Sequence, residues 1–283
     1  MIDADAGSIK RAPRSVPLPE PSPLRMLLLR TGDMLFQIVN LGIFFALWEW
    51  MQTSAWTPIK PEWIPPPSAI VGAIAKSLAN GELVRHASYS INNYAIGLGV
   101  AIAIGIPVGL IIGSTPLLRG IGGAYVWALY TMPIIAVQPI LIIILGFGAA
   151  TQIFLITLMS TFPVIINTMD GMATLDQSLL RAGKVFGASR AKMFTRIVVP
   201  SIAPWILTGM RLAAVRGLLA MLIAELFGSL QGLGFMIIRA SEVQDTPTAY
   251  AAIAVIVALS MGVVYLFNAL EAWLTPWRQK LRL

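Results

Sequence analysis

The sequence predicts an all-α membrane protein with about six transmembrane helices, and three observations support this. Of its 283 residues, 57% are hydrophobic and only 12% are charged, whereas soluble domains carry about 25% charged residues. The apolar residues fall in long blocks instead of the short alternating runs of a soluble core. The basic residues lie mainly between these blocks and at the chain ends, as the positive-inside rule expects.

Each apolar block has the length of a membrane span, because about 20 residues of helix cross the hydrocarbon layer. The bilayer offers no water to the backbone, so each block should form a helix that satisfies its own hydrogen bonds. The predicted spans cover residues 34–51, 89–113, 121–147, 152–170, 202–227 and 248–274. Pro133 and Pro139 should kink or break the third span, because proline lacks the backbone N–H and its ring crowds the preceding turn.

The chain ends and the charge pattern predict the domain organisation. Residues 1–30 are rich in proline and basic side chains, which is typical of a flexible cytoplasmic tail. Residues 31–62 hold the first span and an outer loop, and residues 63–283 form the main transmembrane domain. With a cytoplasmic N-terminus, most of the 20 Lys and Arg residues face the cytoplasm, which predicts that both termini lie there. The same distribution accounts for the net charge of +7 without a nucleic-acid partner.

Two outer segments should be structured. After a proline-rich turn, residues 68–79 predict a short helix at the membrane interface, with Ser68 as its cap. Residues 228–244, rich in glycine and glutamine, should dip back toward the membrane. No cysteine is present and His86 is the only histidine, so a metal centre built on thiolates or several histidines is excluded.

The second span carries small residues at a strict spacing of four. Such a face lets two helix backbones approach closely. The pattern predicts one tight helix contact. This contact lies either beside a translocation path or subunit boundary, or within one subunit. For any single glycine we favour packing within one subunit. The helix-packing residues are Gly97, Ala101, Gly105, Gly109 and Gly113.

Polar residues inside the spans are candidates for a translocation path, because they are costly in lipid and tend to face cavities. The backbone freed by the two prolines of the third span could line the same path. Hydrogen bonding between helices is an equally good explanation for each residue, and Glu225, near the outer end of the fifth span, could pair with a cation. The candidates are Asn92, Asn93, Pro133, Gln138, Pro139, Asn167 and Glu225.

The segment 176–200, between the fourth and fifth spans, predicts a hairpin of two short helices. Gly187 would provide the turn, Ser189 would cap the second helix, and Pro200 would end it. Five basic residues flank its apolar faces, so a cytoplasmic partner could grip it. The alternative is a basic amphipathic helix that rests on anionic lipid headgroups.

This segment resembles the EAA loop of binding-protein-dependent ABC importer permeases. The run Arg181-Ala182-Gly183-x3-Gly187, nine further residues and Ile197-x-Val199-Pro200 follow the family pattern E-A-A-x3-G-x9-I-x-L-P. Arg181 replaces the glutamate, Gly183 the second alanine and Val199 the leucine. Shorter motifs in the same order resemble the nitrate, sulfonate and taurine branch: Trp63–Pro67, Asn167-Thr168-x-x-Gly171, Gly187-Ala188-Ser189, Gly209-x-Arg211 and Gly232-Leu233-Gly234.

The resemblance implies a type I ABC importer permease fold in the bacterial inner membrane. It implies a second permease subunit, usually an identical one, two ATPase subunits that bind ATP and magnesium, and a periplasmic binding protein that delivers a small solute such as a sulfonate, nitrate or taurine. It assigns ATPase coupling to the hairpin, and we add Arg190 and Lys192 because their charges suit an acidic ATPase rim. The coupling residues are then Arg181, Ala182, Gly183, Gly187, Ala188, Ser189, Arg190, Lys192, Ile197 and Pro200.

The chain itself carries no signature of an enzyme. It lacks the phosphate-binding pattern G-x4-G-K-[ST] and common hydrolase motifs, so we expect no cofactor on this chain and ATP hydrolysis on a separate one. The main alternative function is a secondary transporter or channel driven by an ion gradient. That alternative needs acidic residues deep in the spans, for which Glu225 is the best candidate. A membrane-embedded enzyme and a non-transporting scaffold are the remaining alternatives.

Overall fold

The computed structural model describes residues 23–54 and 60–275, with side chains from residue 35 onward, and within these ranges it holds helices and no strand. Residues 1–22 of the predicted tail, and residues 276–283, lie outside the described part. The helices are α1 (Pro23–Thr53), α2 (Pro67–Ala79), α3 (Glu82–Gly113), α4 (Pro116–Thr131), a 3-10 turn (Ile134–Val137), α5 (Gln138–Leu145), α6 (Ala149–Ala173), α7 (Gln177–Val185), α8 (Arg190–Met193), a π turn (Phe194–Val198), α9 (Val199–Gly228), α10 (Leu233–Glu242) and α11 (Thr246–Leu274).

The predicted spans all fall on helices, which confirms the fold class. In the described ranges α3, α6, α11 and the continuous helix Arg190–Gly228 are long and apolar enough to cross a membrane. The first span lies in α1, whose large apolar side chains from Leu35 onward are mostly exposed. The third span is the bent pair of α4 and the helical stretch Ile134–Leu145.

Of the two prolines in the third span, one breaks the helix and the other does not. The two halves of this span meet at 77°, and the break follows Thr131, where Met132 adopts an extended conformation and Pro133 precedes the 3-10 turn. Pro139 lies in the first turn of α5, where its missing N–H has no partner to lose. The prediction for Pro133 is confirmed, and the prediction that Pro139 interrupts a helix is wrong.

The small residues of α3 form a seam against α6. A Cβ added at any of four glycines would lie 2.7 Å from a side-chain atom of α6, in each case from the residue 59 positions further along the chain. A constant offset requires that the two helices run parallel and in register. Ala101, on the same face, is fully buried. The four contacts are Gly97 with Ile156, Gly105 with Val164, Gly109 with Thr168 and Gly113 with Met172.

Helix α9 packs on another face of α6 and runs antiparallel to it. A Cβ at Gly209 would lie 2.8 Å from the Asn167 Cβ, and one at Gly217 would lie 2.6 Å from the Ser160 Oγ. Buried side chains of α3, α6 and α9, with α5 and α11, form the largest apolar cluster, which includes Leu155, Ile156 and Met221. The tightly packed centre of the subunit is therefore α3, α6 and α9.

The outer helix α2 begins one residue earlier than predicted, and Ser68 has a different role. Pro66 is the N-cap and makes no side-chain cap bond. The Ser68 backbone N–H and hydroxyl instead donate to the Glu49 carboxylate, at 3.0 and 2.7 Å. The prediction that Ser68 caps α2 is wrong, because Pro67 at the first helical position takes over the start of the helix and Ser68 is free to bind the end of α1.

The glycine-rich segment between α9 and α11 returns into the bundle. It forms α10, whose first residue, Leu233, is fully buried. Leu233 and Met236 pack with Leu83 of α3 and Ala252 of α11. Helix α10 therefore closes the end of the bundle opposite the hairpin.

Candidate functional site

The hairpin begins with α7, which both of its neighbouring segments stabilise. The Asp176 carboxylate accepts the Ser178 backbone N–H at 2.7 Å and caps the helix. Hydrogen bonds from the Ser178 backbone and side chain lower the pKa of Asp176. At the other end, the Gly187 and Ala188 N–H groups donate to the carbonyls of Lys184 and Gly183 at 3.0 and 2.9 Å. This pair of bonds is a Schellman motif, which requires a left-handed residue at Gly187, and its φ is +71°.

The second arm continues directly into the membrane helix. The Ser189 Oγ accepts the Lys192 N–H at 3.3 Å and caps α8. The helix then passes through the π turn into α9, with Pro200 in the first turn of α9. The prediction that Pro200 ends a helix is wrong. We attribute this to the π turn just before Pro200, since a wider turn makes room for a ring and a missing donor.

Gly183 and Ile197 meet where the two arms approach each other. Gly183 is buried, and a Cβ there would lie 2.8 Å from the Ile197 Cδ1. Met193 is the next neighbour, at 3.9 Å. The glycine in place of the expected second alanine therefore matches a closer approach of the two arms.

The tip of the hairpin is apolar and exposed. Val185 and Phe186 expose 84% and 88% of their surface, the latter directly before the turn at Gly187. An exposed aromatic and aliphatic pair on a projecting turn is typical of a protein contact. The hairpin also carries five exposed basic side chains, and none of them lies within 4.0 Å of a described carboxylate. They are Arg181, Lys184, Arg190, Lys192 and Arg196.

The remaining hairpin residues and the path candidates do not form one site. Ala182 is exposed and Ala188 half-buried in the hairpin. Among the path candidates, Asn92, Pro133 and Pro139 are exposed. Asn167 donates to the Pro163 carbonyl of its own helix at 2.8 Å, and the buried Gln138 Nε2 donates to the Ile223 carbonyl at 3.1 Å.

Asn93 and Glu225 are brought together by a residue that the sequence did not single out. The Asn93 Nδ2 donates to the Gln152 Oε1 at 2.8 Å, and the Gln152 Nε2 donates to the Glu225 Oε1 at 2.6 Å. The Glu225 Oε2 accepts the Gly234 N–H at 2.8 Å. All three side chains are almost fully buried. This polar network joins α3, α6, α9 and the start of α10. Its sequence signal is Gln152 itself, a polar residue at the start of a span.

Glu225 has no cation partner in the described part of the chain, so the prediction of an ion pair is wrong. The N-terminal end of α10 faces its carboxylate instead, where N–H groups without a partner in the helix backbone and the helix dipole favour a negative charge. Gly232 has a φ of +109°, and a Cβ there would clash with the Glu225 carboxylate. The Gly232 N–H donates to the His86 Nδ1 at 3.0 Å, and the Leu233 N–H to the Ser90 Oγ at 2.9 Å.

No group of three or more His, Cys, Asp or Glu residues in residues 23–54 and 60–275 could hold a metal ion. Several helices of membrane-spanning length with a hairpin between two of them define the class: a polytopic membrane protein. The chain belongs to the family described as binding-protein-dependent transport system inner membrane component, whose model matches residues 105–280.

The relatives agree with this assignment. The chain is 31% identical to the taurine transport system permease protein of Escherichia coli strain K12 over 233 residues, which are 81% of this chain and 85% of that protein. It is 29% identical to the bicarbonate transport system permease protein of a Synechocystis species over 221 residues, 74% of this chain and 77% of that protein.

The fold agrees as well. A chain of the methionine ABC transporter MetNI, solved in inward-facing conformations, superimposes with a TM-score of 0.60 at 16% identity, covering 68% of this chain and 96% of that chain. These findings confirm the predicted type I importer fold and the prediction of a non-enzymatic, multi-pass inner-membrane permease subunit of an ATP-driven importer. They favour that function over the ion-gradient-driven alternative.

Proposed function

We propose that two copies of this chain form the translocation path of an ATP-driven importer for a small anion, and that each copy binds one ATPase subunit through the hairpin 176–200. ATP and magnesium bind to the ATPase subunits, and a periplasmic binding protein delivers the substrate. The shape and surface of the hairpin carry this proposal. It holds an apolar tip, a basic flank and a turn that glycine fixes, outside the packed bundle.

The hairpin has the mechanical properties that coupling needs. Moving a two-state pore from 1:99 to 99:1 requires a difference of about 5.5 kcal/mol between its states. A partner can transmit that energy only through an element it binds firmly and differently in the two states. The second arm enters α9 without a break between Arg190 and Gly228. A movement of the hairpin therefore acts directly on a central helix of the bundle.

The orientation follows from the charges. The exposed basic side chains of the hairpin suit the cytoplasmic face, and this supports our proposal that both termini lie in the cytoplasm. The opposite end of the bundle, with α2 and α10, then faces the periplasm and the binding protein. Residues 63–283 act as the permease domain. Residues 1–30 act as a cytoplasmic tail, whose last eight residues are the start of α1.

For the substrate, the relatives named for taurine and bicarbonate support a small anion such as a sulfonate or nitrate. We place the path between the two copies. The exposed residues Asn92, Pro133 and Pro139 could line this path. The partly buried Asn167 and the buried Asn93, Gln138 and Glu225 already make hydrogen bonds within the subunit, and we assign them to support of the path.

Co-purification of the ATPase tests the coupling. Burial of a phenylalanine contributes about 1.5–3 kcal/mol, so Phe186→Ser should reduce the retained ATPase at least tenfold without changing membrane insertion. Phe147→Ser is the matched control, because Phe147 is 68% exposed and lies at the other end of the bundle. ATPase retention by Phe186→Ser at the wild-type level would contradict the proposal.

A further inference from the structure

A half-enclosed cavity of about 520 Å³ opens at the end of the bundle opposite the hairpin. The end of α2, the start of α3, the loop before α10, α10 itself and the start of α11 surround it. This volume lies within the range of about 300–1,000 Å³ that is usual for small-molecule sites. Its charged lining comprises Lys76, Arg85, Arg239, Glu82 and Asp245.

The acidic and the basic side chains of this cavity differ in the partners that they have within the chain. The Asp245 Oδ1 accepts the Thr248 N–H at 3.3 Å and caps α11. Glu82 lies in the first turn of α3, where the helix dipole favours its charge, and its carboxylate accepts the Asn80 Nδ2 at 3.4 Å. In contrast, none of the three cations lies within 4.0 Å of a described carboxylate. The acidic side chains therefore already interact with nearby helix ends and polar groups, whereas the basic side chains have no described carboxylate to neutralise them and can pair with an anion.

The floor of the cavity adds a fixed hydrogen-bond donor. His86 lines the cavity and exposes only 4% of its surface. Its Nδ1 accepts the Gly232 N–H at 3.0 Å, so in the neutral ring the proton must be on Nε2. The opposite edge of the ring is therefore an N–H donor, held in place by the same turn that contacts Glu225.

We propose that this cavity binds a small oxyanion group, such as a sulfonate, carboxylate or phosphate, with Arg85, Arg239 and Lys76 as charge partners and His86 as a donor at its floor. Guanidinium groups pair with such oxygens through two parallel N–H donors. The proposal rests on the proposed import of a small anion and deepens it, but it is independent of the proposed coupling, which does not require an anion site on the permease. The occupant is a soluble anion or the headgroup of an anionic lipid.

Ethanesulfonate binding to the full chain tests the proposal, in nanodiscs of zwitterionic phosphatidylcholine. Isothermal titration should show saturable binding of ethanesulfonate and none of the neutral dimethyl sulfone. Arg85→Gln and Arg239→Gln should each weaken ethanesulfonate binding about tenfold or more, the usual effect of a lost charged hydrogen bond. Lys60→Gln is the matched control, because Lys60 is exposed and does not line the cavity.

A second titration identifies the occupant. If phosphatidylglycerol in the nanodisc competes with ethanesulfonate, a lipid headgroup fills the site, and if it does not, a soluble anion does. Both results support an oxyanion site. The absence of saturable binding by the wild-type chain, or equal weakening by Lys60→Gln, would overturn the proposal. A third outcome would also overturn it: Arg85→Gln and Arg239→Gln keep the wild-type affinity for ethanesulfonate but bind the binding protein more weakly. The cations would then serve protein docking. None of these readouts depends on the ATPase, so failure here leaves the proposed coupling untouched.

Discussion

The two ends of α9 are built in opposite ways. At its start, the hairpin exposes an apolar tip, and short-range turns and caps between residues 176 and 193 hold its shape. At its end, Glu225 is 1% exposed and its partners come from α6 and α10. The first end is shaped locally and offers surface to another chain. The second is fixed by buried contacts inside the subunit. Substitutions at the two ends should therefore change different properties: coupling at the start of α9 and stability at its end.

The largest effect is expected at the buried end, for Glu225→Ala. The substitution leaves the Gln152 Nε2 and the Gly234 N–H without their acceptor, and each buried unpaired donor costs about 1–3 kcal/mol. The purified permease should lose about 2–6 kcal/mol of stability, measured as thermal unfolding in detergent. Glu242→Ala, which removes an exposed acid from α10, should change the unfolding temperature little. Equal unfolding temperatures for the two variants would show that the polar network does not stabilise the bundle.

A smaller loss is expected in the seam between α3 and α6, for Gly105→Ala. Its added Cβ would lie 2.7 Å from the Cβ of Val164, a stiff side chain on a packed helix, and overpacking of this kind costs about 1–3 kcal/mol. Gly99→Ala is the control, because nothing lies within 4 Å of a Cβ there, and it should be neutral or stabilise the helix by up to about 1 kcal/mol. The same thermal unfolding measurement compares them, and a stabilising Gly105→Ala would argue against a close seam.

At the exposed end, Gly187→Val should impair coupling and spare stability. A β-branched residue at φ +71° is strained by roughly 1–2 kcal/mol, so the turn should open and the ATPase activity of the assembled transporter should respond less to the binding protein. Gly187→Asn should retain most of the response, because asparagine tolerates this conformation. An equal loss in both variants would mean that the glycine itself, and not its conformation, matters.

The smallest effect is expected for Asp176→Ala at the start of α7. Loss of the cap should increase hydrogen exchange in the first turn of α7 a few-fold, with the unfolding temperature of the bundle unchanged, whereas Asp176→Ser should retain the cap. Because folding lowers the pKa of Asp176, its contribution is present above the ordinary aspartate pKa and is lost as the pH falls through the lowered one. Exchange in Asp176→Ala equal to the wild type would show that this cap is unimportant.

Sequence patterns located the features that depend on neighbours in the chain. The hydrogen bonds at Gly187 and Ser189 join groups at most five residues apart, and in the structure Gly187 forms the turn and Ser189 caps the helix. The spacing of the small residues in α3 is also local, and it marks the face that packs on α6. The hairpin motif and the order of the shorter motifs along the chain predicted the family, and the match of the family model over residues 105–280 confirms it.

Predictions about the partner or context of a residue were less successful. The sequence predicts Ser68 as a helix cap, but its N–H and hydroxyl donate to Glu49, which is 19 residues away in the chain. Pro139 and Pro200 looked like helix breakers, but each lies in the first turn of a helix. The effect of a proline depends on where the helix begins, and this is set by the break or the π turn before it.

The sequence by itself determined that the chain is an all-α membrane protein with a turn-defined hairpin, because hydrophobic length, glycine conformation and capping act over a few residues. Of the six predicted spans, four helices of the described residues, or five with the bent pair, are long and apolar enough to cross a membrane. Only the tertiary structure decided that Glu225 is bound by Gln152 and the start of α10, and that three cations with no described carboxylate within 4.0 Å line one cavity with His86. Gln152 and Glu225 are 73 positions apart in the chain, and His86 and its hydrogen-bond donor Gly232 are 146 positions apart. A buried polar group takes whichever partner the packing of helices brings near, and no local pattern encodes that choice.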